Sequence, residues 1–111
     1  MPQKSTKTTQ YIAIQTTSPT KKEAHKIAKS LLKKRLCACI QIRKITSLYE
    51  WQGRMCSEKE YLLQIKTHRK HFEAIALFIG KIHSYDTPQI FSLPIESISE
   101  KYQKWLDSSI N

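Results

Sequence analysis

Nearly everything between Ala38 and Thr67 reads as extended chain, interrupted once at Gly53, and this constrains the fold more than any other feature. Ala38, Ile40 and Ile42 alternate in one phase, whereas Ile45, Tyr49 and Trp51 alternate in the other. A period-two pattern changes phase at a bulge or bend, so one is expected near Arg43-Lys44. Thr46 to Gln52 is rich in β-formers, Gly53 supplies the turn, and Glu60 to Thr67 returns with Tyr61, Leu63 and Ile65 on one face. The predicted hairpin has arms of unusual length for a chain of 111 residues. Arms longer than their own core needs are suited to reach a neighbour.

The flanking segments supply the rest of a sheet and its cover. Gln10 to Thr16 alternates, with Ile12 and Ile14 on one side and Tyr11 and Ala13 on the other, and reads as a strand. Ser18-Pro19 offers a cap with proline at the first helical position, and Thr20 with Glu23 offers an alternative capping box. Ala24, Ile27, Ala28, Leu31 and Leu32 then follow the spacing of a one-sided helix. A second helix is expected from near His68, with Phe72, Ile75, Ala76, Ile79 and Ile82 as its buried stripe. Gln89 to Ile95 reads as a strand with Phe91, Leu93 and Ile95 on one face, and Pro94 confines it to an end or an edge. Ser97 or Ser99 can cap a closing helix carrying Tyr102, Trp105 and Leu106.

The order is β-α-β-β-α-β plus a final helix: an α+β, ferredoxin-like pattern with an antiparallel sheet. Residues 1–9 are expected to form a disordered or extended tail, and residues 10–111 a single domain. Two helices cover one face of the sheet. The other is expected to carry Tyr11, Ala13, Cys37, Cys39 and part of the Tyr49–Trp51 region, too apolar to face water. A homo-oligomer follows, of an order that the pattern leaves open.

Composition narrows the function classes. No apolar leader and no membrane-spanning run stands in the sequence, and Met1 to Gln10 is polar and lysine-bearing. Three cysteines, an odd number, argue against a disulfide scaffold, and a reduced, cytoplasmic protein is expected. Nineteen Lys and Arg against nine Asp and Glu give a net charge of +10. Much of the excess lies from Lys21 through Lys22, Lys26, Lys29, Lys33 and Lys34 to Arg35. Such a face could attract phosphates, but no aromatic is interleaved to stack bases, so nucleic acid is not an expected partner. Gly53 and Gly80 are isolated, so no phosphate loop exists, and no nucleophile elbow is present. No enzyme is expected.

Chemistry-bearing residues concentrate in His83-Ser84-Tyr85-Asp86-Thr87-Pro88-Gln89-Ile90, where a helix stripe runs into a strand and Pro88 stiffens the chain. This junction is the natural place for a small polar site, though His83 also suits a helix C-terminus, where a cation meets free carbonyls. Cys37 and Cys39 form a C-x-C that would point both thiols to one face of a strand, toward a soft ion or into a tight interface. Cys56 lies near the hairpin tip. His68 and His71 lie one helical turn apart, with Arg69 and Lys70 between them to repel a cation. Tyr49, Trp51 and Trp105 read as core or interface aromatics.

Thr16-Thr17-Ser18-Pro19, Leu36-Cys37-Ala38-Cys39, Thr46 to Gly53, Ile65-Lys66-Thr67, His83 to Pro88 and Tyr102 to Leu106 stand in an order and spacing that resembles the CutA family, the divalent-cation tolerance proteins, over nearly the whole chain. The resemblance implies a ferredoxin-like protomer in a tight homotrimer similar in build to the PII signalling proteins, with extended hairpin arms on neighbouring subunits. It implies tolerance of copper and other divalent metals, copper binding, and no established catalysis. Mammalian members are linked to membrane anchoring of acetylcholinesterase; no membrane contact is expected of this chain. The usual motif reads His-Pro-Tyr-Glu-x-Pro-Glu, whereas this sequence has Ser84, Asp86 and Gln89 at three of those positions. It has Thr16 where some bacterial members carry a candidate copper cysteine. The metal ligands that carry over are His83 and Asp86, with Tyr85 beside them. Two functions stand: a trimeric metal-binding protein using these residues, or a PII-like regulatory or scaffolding trimer that binds a small anion or a protein partner.

Overall fold

The computed structural model of the protein describes residues 10–111. The expected tail at residues 1–9 lies outside the described residues. The elements are β1 (Tyr11–Ser18), α1 (Lys21–Lys33), β2 (Cys39–Trp51), β3 (Arg54–His68), a 3-10 turn (Arg69–His71), α2 (Phe72–Ile82), β4 (Ile90–Pro94) and α3 (Glu100–Ser109). The sheet is antiparallel throughout, in the order β2-β3-β1-β4. The proline-bearing β4 is an edge strand, as a residue without an amide proton requires.

The core forms where the two helical stripes meet one face of the sheet. Ile12 and Ile14 of β1, Leu63 and Ile65 of β3, Ala24, Ile27, Ala28 and Leu31 of α1, and Ile75 and Ile79 of α2 are buried together. Each large aliphatic side chain removed from water contributes about 1.5–3 kcal/mol. A second, smaller cluster lies on the opposite face, where Leu106 and Ile110 pack on Ala38 beside Tyr11 and Tyr102. The closing helix therefore covers part of the face that sequence pattern left bare.

Helix α1 begins two residues later than the Ser18-Pro19 signal suggests. Thr20 is the N-cap, and its hydroxyl accepts from the Glu23 amide at 3.1 Å. Ser18 instead completes β1, and its hydroxyl donates to the Thr20 carbonyl. At the other end Arg35 takes the left-handed conformation (φ 57°), with the Leu36 amide bonded to the Leu31 carbonyl and the Arg35 amide to the Leu32 carbonyl. This closing pattern usually falls to glycine. Here the arginine is held by the last helix: its guanidinium donates to the Ser108 carbonyl (3.1 Å) and the Asn111 side chain (3.3 Å).

No bulge interrupts the hairpin. Pairing runs residue for residue from Cys39 opposite Lys66 to Trp51 opposite Arg54. The two-residue turn has positive φ at both Gln52 (51°) and Gly53 (77°), the twist that suits a tight hairpin. The apolar phase changes because the covering layer changes. Ile40 and Ile42 face the helices, whereas beyond Arg43 the arm outruns them and Ile45, Ser47, Tyr49 and Trp51 share the opposite face.

Candidate functional site

The junction after α2 folds over the end of β1 and against the base of the arm. His83 ends α2 with extended backbone, and its own amide still bonds to the Ile79 carbonyl. Its fully buried ring turns inward, away from the helix carbonyls. Nε2 lies 2.6 Å from the Thr17 carbonyl, an acceptor only, so Nε2–H donates. Nδ1 accepts from the Tyr85 amide at 3.0 Å and lies 3.4 Å from a Glu23 carboxylate oxygen. Both ring nitrogens are thus engaged by the protein, and the ring acts as a peg holding the loop to β1.

That peg sets the position of Tyr85, whose ring packs 4.9 Å from the imidazole. Its hydroxyl donates to Glu60 at 2.8 Å, and the Ser47 hydroxyl donates to the other Glu60 oxygen at 2.6 Å. Glu60 is only 7% exposed, and hydroxyl groups satisfy its carboxylate. Farther along the arm the Tyr49 hydroxyl donates to Glu58 at 2.6 Å. Burial first, and then the Glu60 hydrogen bond, push the Tyr85 phenol well up. For Tyr49 the bond to Glu58 comes first, and the phenol is pushed up to about 12. These groups line an open cleft of about 1120 Å³ between the arm and the loop, which Trp51, Cys56 and Asp86 also border.

Of the expected metal residues, the structure brings His83 and Tyr85 into contact, and Tyr85 and Asp86 line the same cleft. Three or four protein ligands are usual for zinc or copper. Among the described residues, no three His, Cys, Asp or Glu side chains are grouped to hold an ion. A complete set within one chain therefore does not fit these side chains. Sequence reasoning missed Glu58, Glu60 and Glu23. The first two were within reach, because counting back from the Gly53 turn sets Glu58 opposite Ser47 and Glu60 opposite Ile45.

Other candidates resolve differently from their sequence patterns. Cys37 precedes β2 and packs in the main core, so it does not share an exposed strand face with Cys39. Burial, and secondarily Cys39, push its thiol up to about 12. All three cysteines are free. His68 and His71 stack at 6.3 Å, but each is spent on the closing helix. His68 Nε2 meets Asp107 at 2.7 Å, and His71 Nε2 meets the Asn111 carbonyl at 2.8 Å. Tyr49, Trp51 and Trp105 are all exposed in the single chain rather than buried in its core. No helix among the described residues is long and apolar enough to cross a membrane.

An antiparallel, ferredoxin-like α+β chain with an overlong arm and a carboxylate- and phenol-lined cleft at its base is the class that fold and site define. The sequence profile of the CutA1 divalent ion tolerance proteins matches residues 12–109, and the chain belongs to that family. It is 37% identical to the chloroplastic CutA protein of Arabidopsis thaliana over 96% of its length, spanning 59% of that relative. It spans 51% of the mouse CutA protein, at 36% identity over 81% of its own length. With the divalent-cation tolerance protein of Archaeoglobus fulgidus it shares 35% identity, covering 85% of this chain and 92% of the relative. The structure of the periplasmic A. fulgidus protein superposes with a TM-score of 0.88 at 34% identity, covering 91% of this chain and 99% of the other. CutA from Synechococcus elongatus gives 0.89 at 31% identity, covering 94% and 93%. A chloroplastic and a periplasmic relative overturn the expectation of a cytoplasmic protein: unpaired thiols and a polar start do not separate these compartments.

Proposed function

We propose that this chain is a non-enzymatic, homotrimeric divalent-cation tolerance protein whose cation, copper or another divalent ion, is taken at the arm cleft. The observation that carries this reading is the sign of the cleft. In a chain of net charge +10, its lining includes Glu58, Glu60 and Asp86 and no lysine or arginine. Carboxylate and phenol oxygens favour a cation and repel the small anion of the regulatory alternative. Of the expected set, Tyr85 and Asp86 line the cleft as proposed ligands, His83 serves as the peg that places Tyr85, and the donors that one chain lacks would come from neighbouring copies. The exposed Trp51, Leu48 and Met55 of the arm support such an assembly.

Calorimetric titration with copper and zinc tests the site on wild type, His83→Ala and a Glu58→Gln/Glu60→Gln pair. Binding lost in all variants supports a single cleft site that needs the peg. Binding kept in His83→Ala but lost in the double variant moves the site onto the arm carboxylates and makes the peg dispensable. Light scattering on the same samples reads the assembly, and a single-chain mass in dilute solution would overturn it.

A further inference from the structure

The outer face of α1 carries charge that the cleft does not use. Lys21, Lys22, His25, Lys26, Lys29 and Lys33 are all exposed and fall within one sector of the helix, opposite the buried Ala24, Ile27, Ala28 and Leu31. The sector is about 18 Å long at 1.5 Å per residue. Lys22–Lys26 and Lys29–Lys33 are like-charge pairs at the i,i+4 spacing, each costing about 0.2–0.5 kcal/mol. The helix's one acid does not relieve them. Glu23 turns away from this sector, toward His83 Nδ1 and the Ser84 amide.

We propose that this ridge docks the sugar-phosphate backbone of double-stranded nucleic acid, without reading its sequence. Charge complementarity selects a polyanion, and shape selects a duplex. A convex helix about 10–12 Å across fits a groove about 12 Å wide. Ala24, Ile27, Ala28 and Leu31 are committed to the core; Leu32, expected in the same stripe, is instead 41% exposed beside the lysines, and a single leucine is too little apolar surface to anchor the helix in a lipid surface. Lysines meet phosphates as point charges, and no arginine, asparagine or glutamine stands in the sector to read base edges. Interleaved aromatics serve to stack the bases of single strands, and a duplex held by its backbone needs none. The inference is independent of the cation cleft.

The test is fluorescence anisotropy of a labelled mixed-sequence DNA duplex with the full chain, across salt. About five phosphate contacts predict a log–log slope near −4.5, and a roughly 500-fold loss of affinity between about 50 and 200 mM salt. Lys22→Gln/Lys26→Gln/Lys29→Gln removes three contacts and brings the slope to about −1.8. Lys59→Glu, on the arm, leaves it unchanged. All three positions of the triple variant are exposed, and an unaltered melting curve establishes its fold. A slope insensitive to the triple variant overturns the proposal. So does binding to phosphatidylserine vesicles with none to the duplex.

Discussion

The body and the arm of this protein are made of the same sheet, yet they are held in opposite ways. In the body, Ile12, Ile14, Leu63 and Ile65 are sealed by two helices from the same chain. On the arm, Leu48 is 68% exposed, Trp51 62% and Met55 77%, although the ladder beneath them is continuous. The β2–β3 ladder is unbroken through both regions, but β3 also pairs with β1 only as far as Tyr61, so the arm beyond it is two strands wide and leaves both its outer backbone edges and its side chains open. The arm keeps its shape through register and its tight turn, while its apolar surface remains open to a partner. The cleft lies where the two regimes meet, with Glu60 at the boundary: nearly buried by the body, but bonded by hydroxyls rather than by a cation.

Truncation gives the sharpest test of this contrast. Ile14→Ala should cost about 3–4 kcal/mol in denaturant unfolding, because it empties a sealed site. Leu48→Ala should change the stability of the single chain by less than about 0.5 kcal/mol. Equal costs would mean that the arm is as well packed as the body. Thr16→Val should act in the other direction. The Thr16 hydroxyl is buried without a hydrogen-bond partner among the described residues, so its removal should stabilise by about 1–2 kcal/mol. No gain would point to a partner group for that hydroxyl.

Smaller effects report on the arm itself. Gly53→Ala should cost about 1 kcal/mol, entirely from the positive φ, since a Cβ there meets nothing within 4 Å. Loss of the whole fold would contradict an independently stabilised body. The Tyr49 phenol titrates in the folded arm near 12, above its ordinary value of 10.0. Its link to Glu58 is therefore fully present below about pH 10 and is lost as pH rises from 10 through 12. Phenolate absorbance should show one late-titrating tyrosine disappear in Tyr49→Phe; an unchanged curve would dissolve the Glu58 bond. Last, Cys37 should resist thiol reagents at neutral pH while Cys39 and Cys56 react, in keeping with its place in the sealed core.

The predicted helices, strands and their order were legible because periods of 3.6 and 2 record which side of an element is buried. The hairpin turn was legible too, through Gly53. The bulge expected at Arg43-Lys44 was not there, because a change of apolar phase records a change of cover and does not say whether backbone or neighbour has changed. Cys37 and Cys39 failed as a pair for a related reason: two residues apart share a face only once both are in the strand. In the His83 segment the residue types were legible but their partners were not: both ring nitrogens of His83 are engaged by Thr17 and Tyr85.

Local pattern thus settled the elements and the turn. Only tertiary structure could commit the His83 ring to a carbonyl 66 positions away, bring Tyr85 onto Glu60, and turn Glu23 away from the lysine ridge. Periodicity encodes burial as an average over neighbours. Hydrogen bonds and charge pairs depend instead on single atoms meeting across long loops, and no local spacing carries that information.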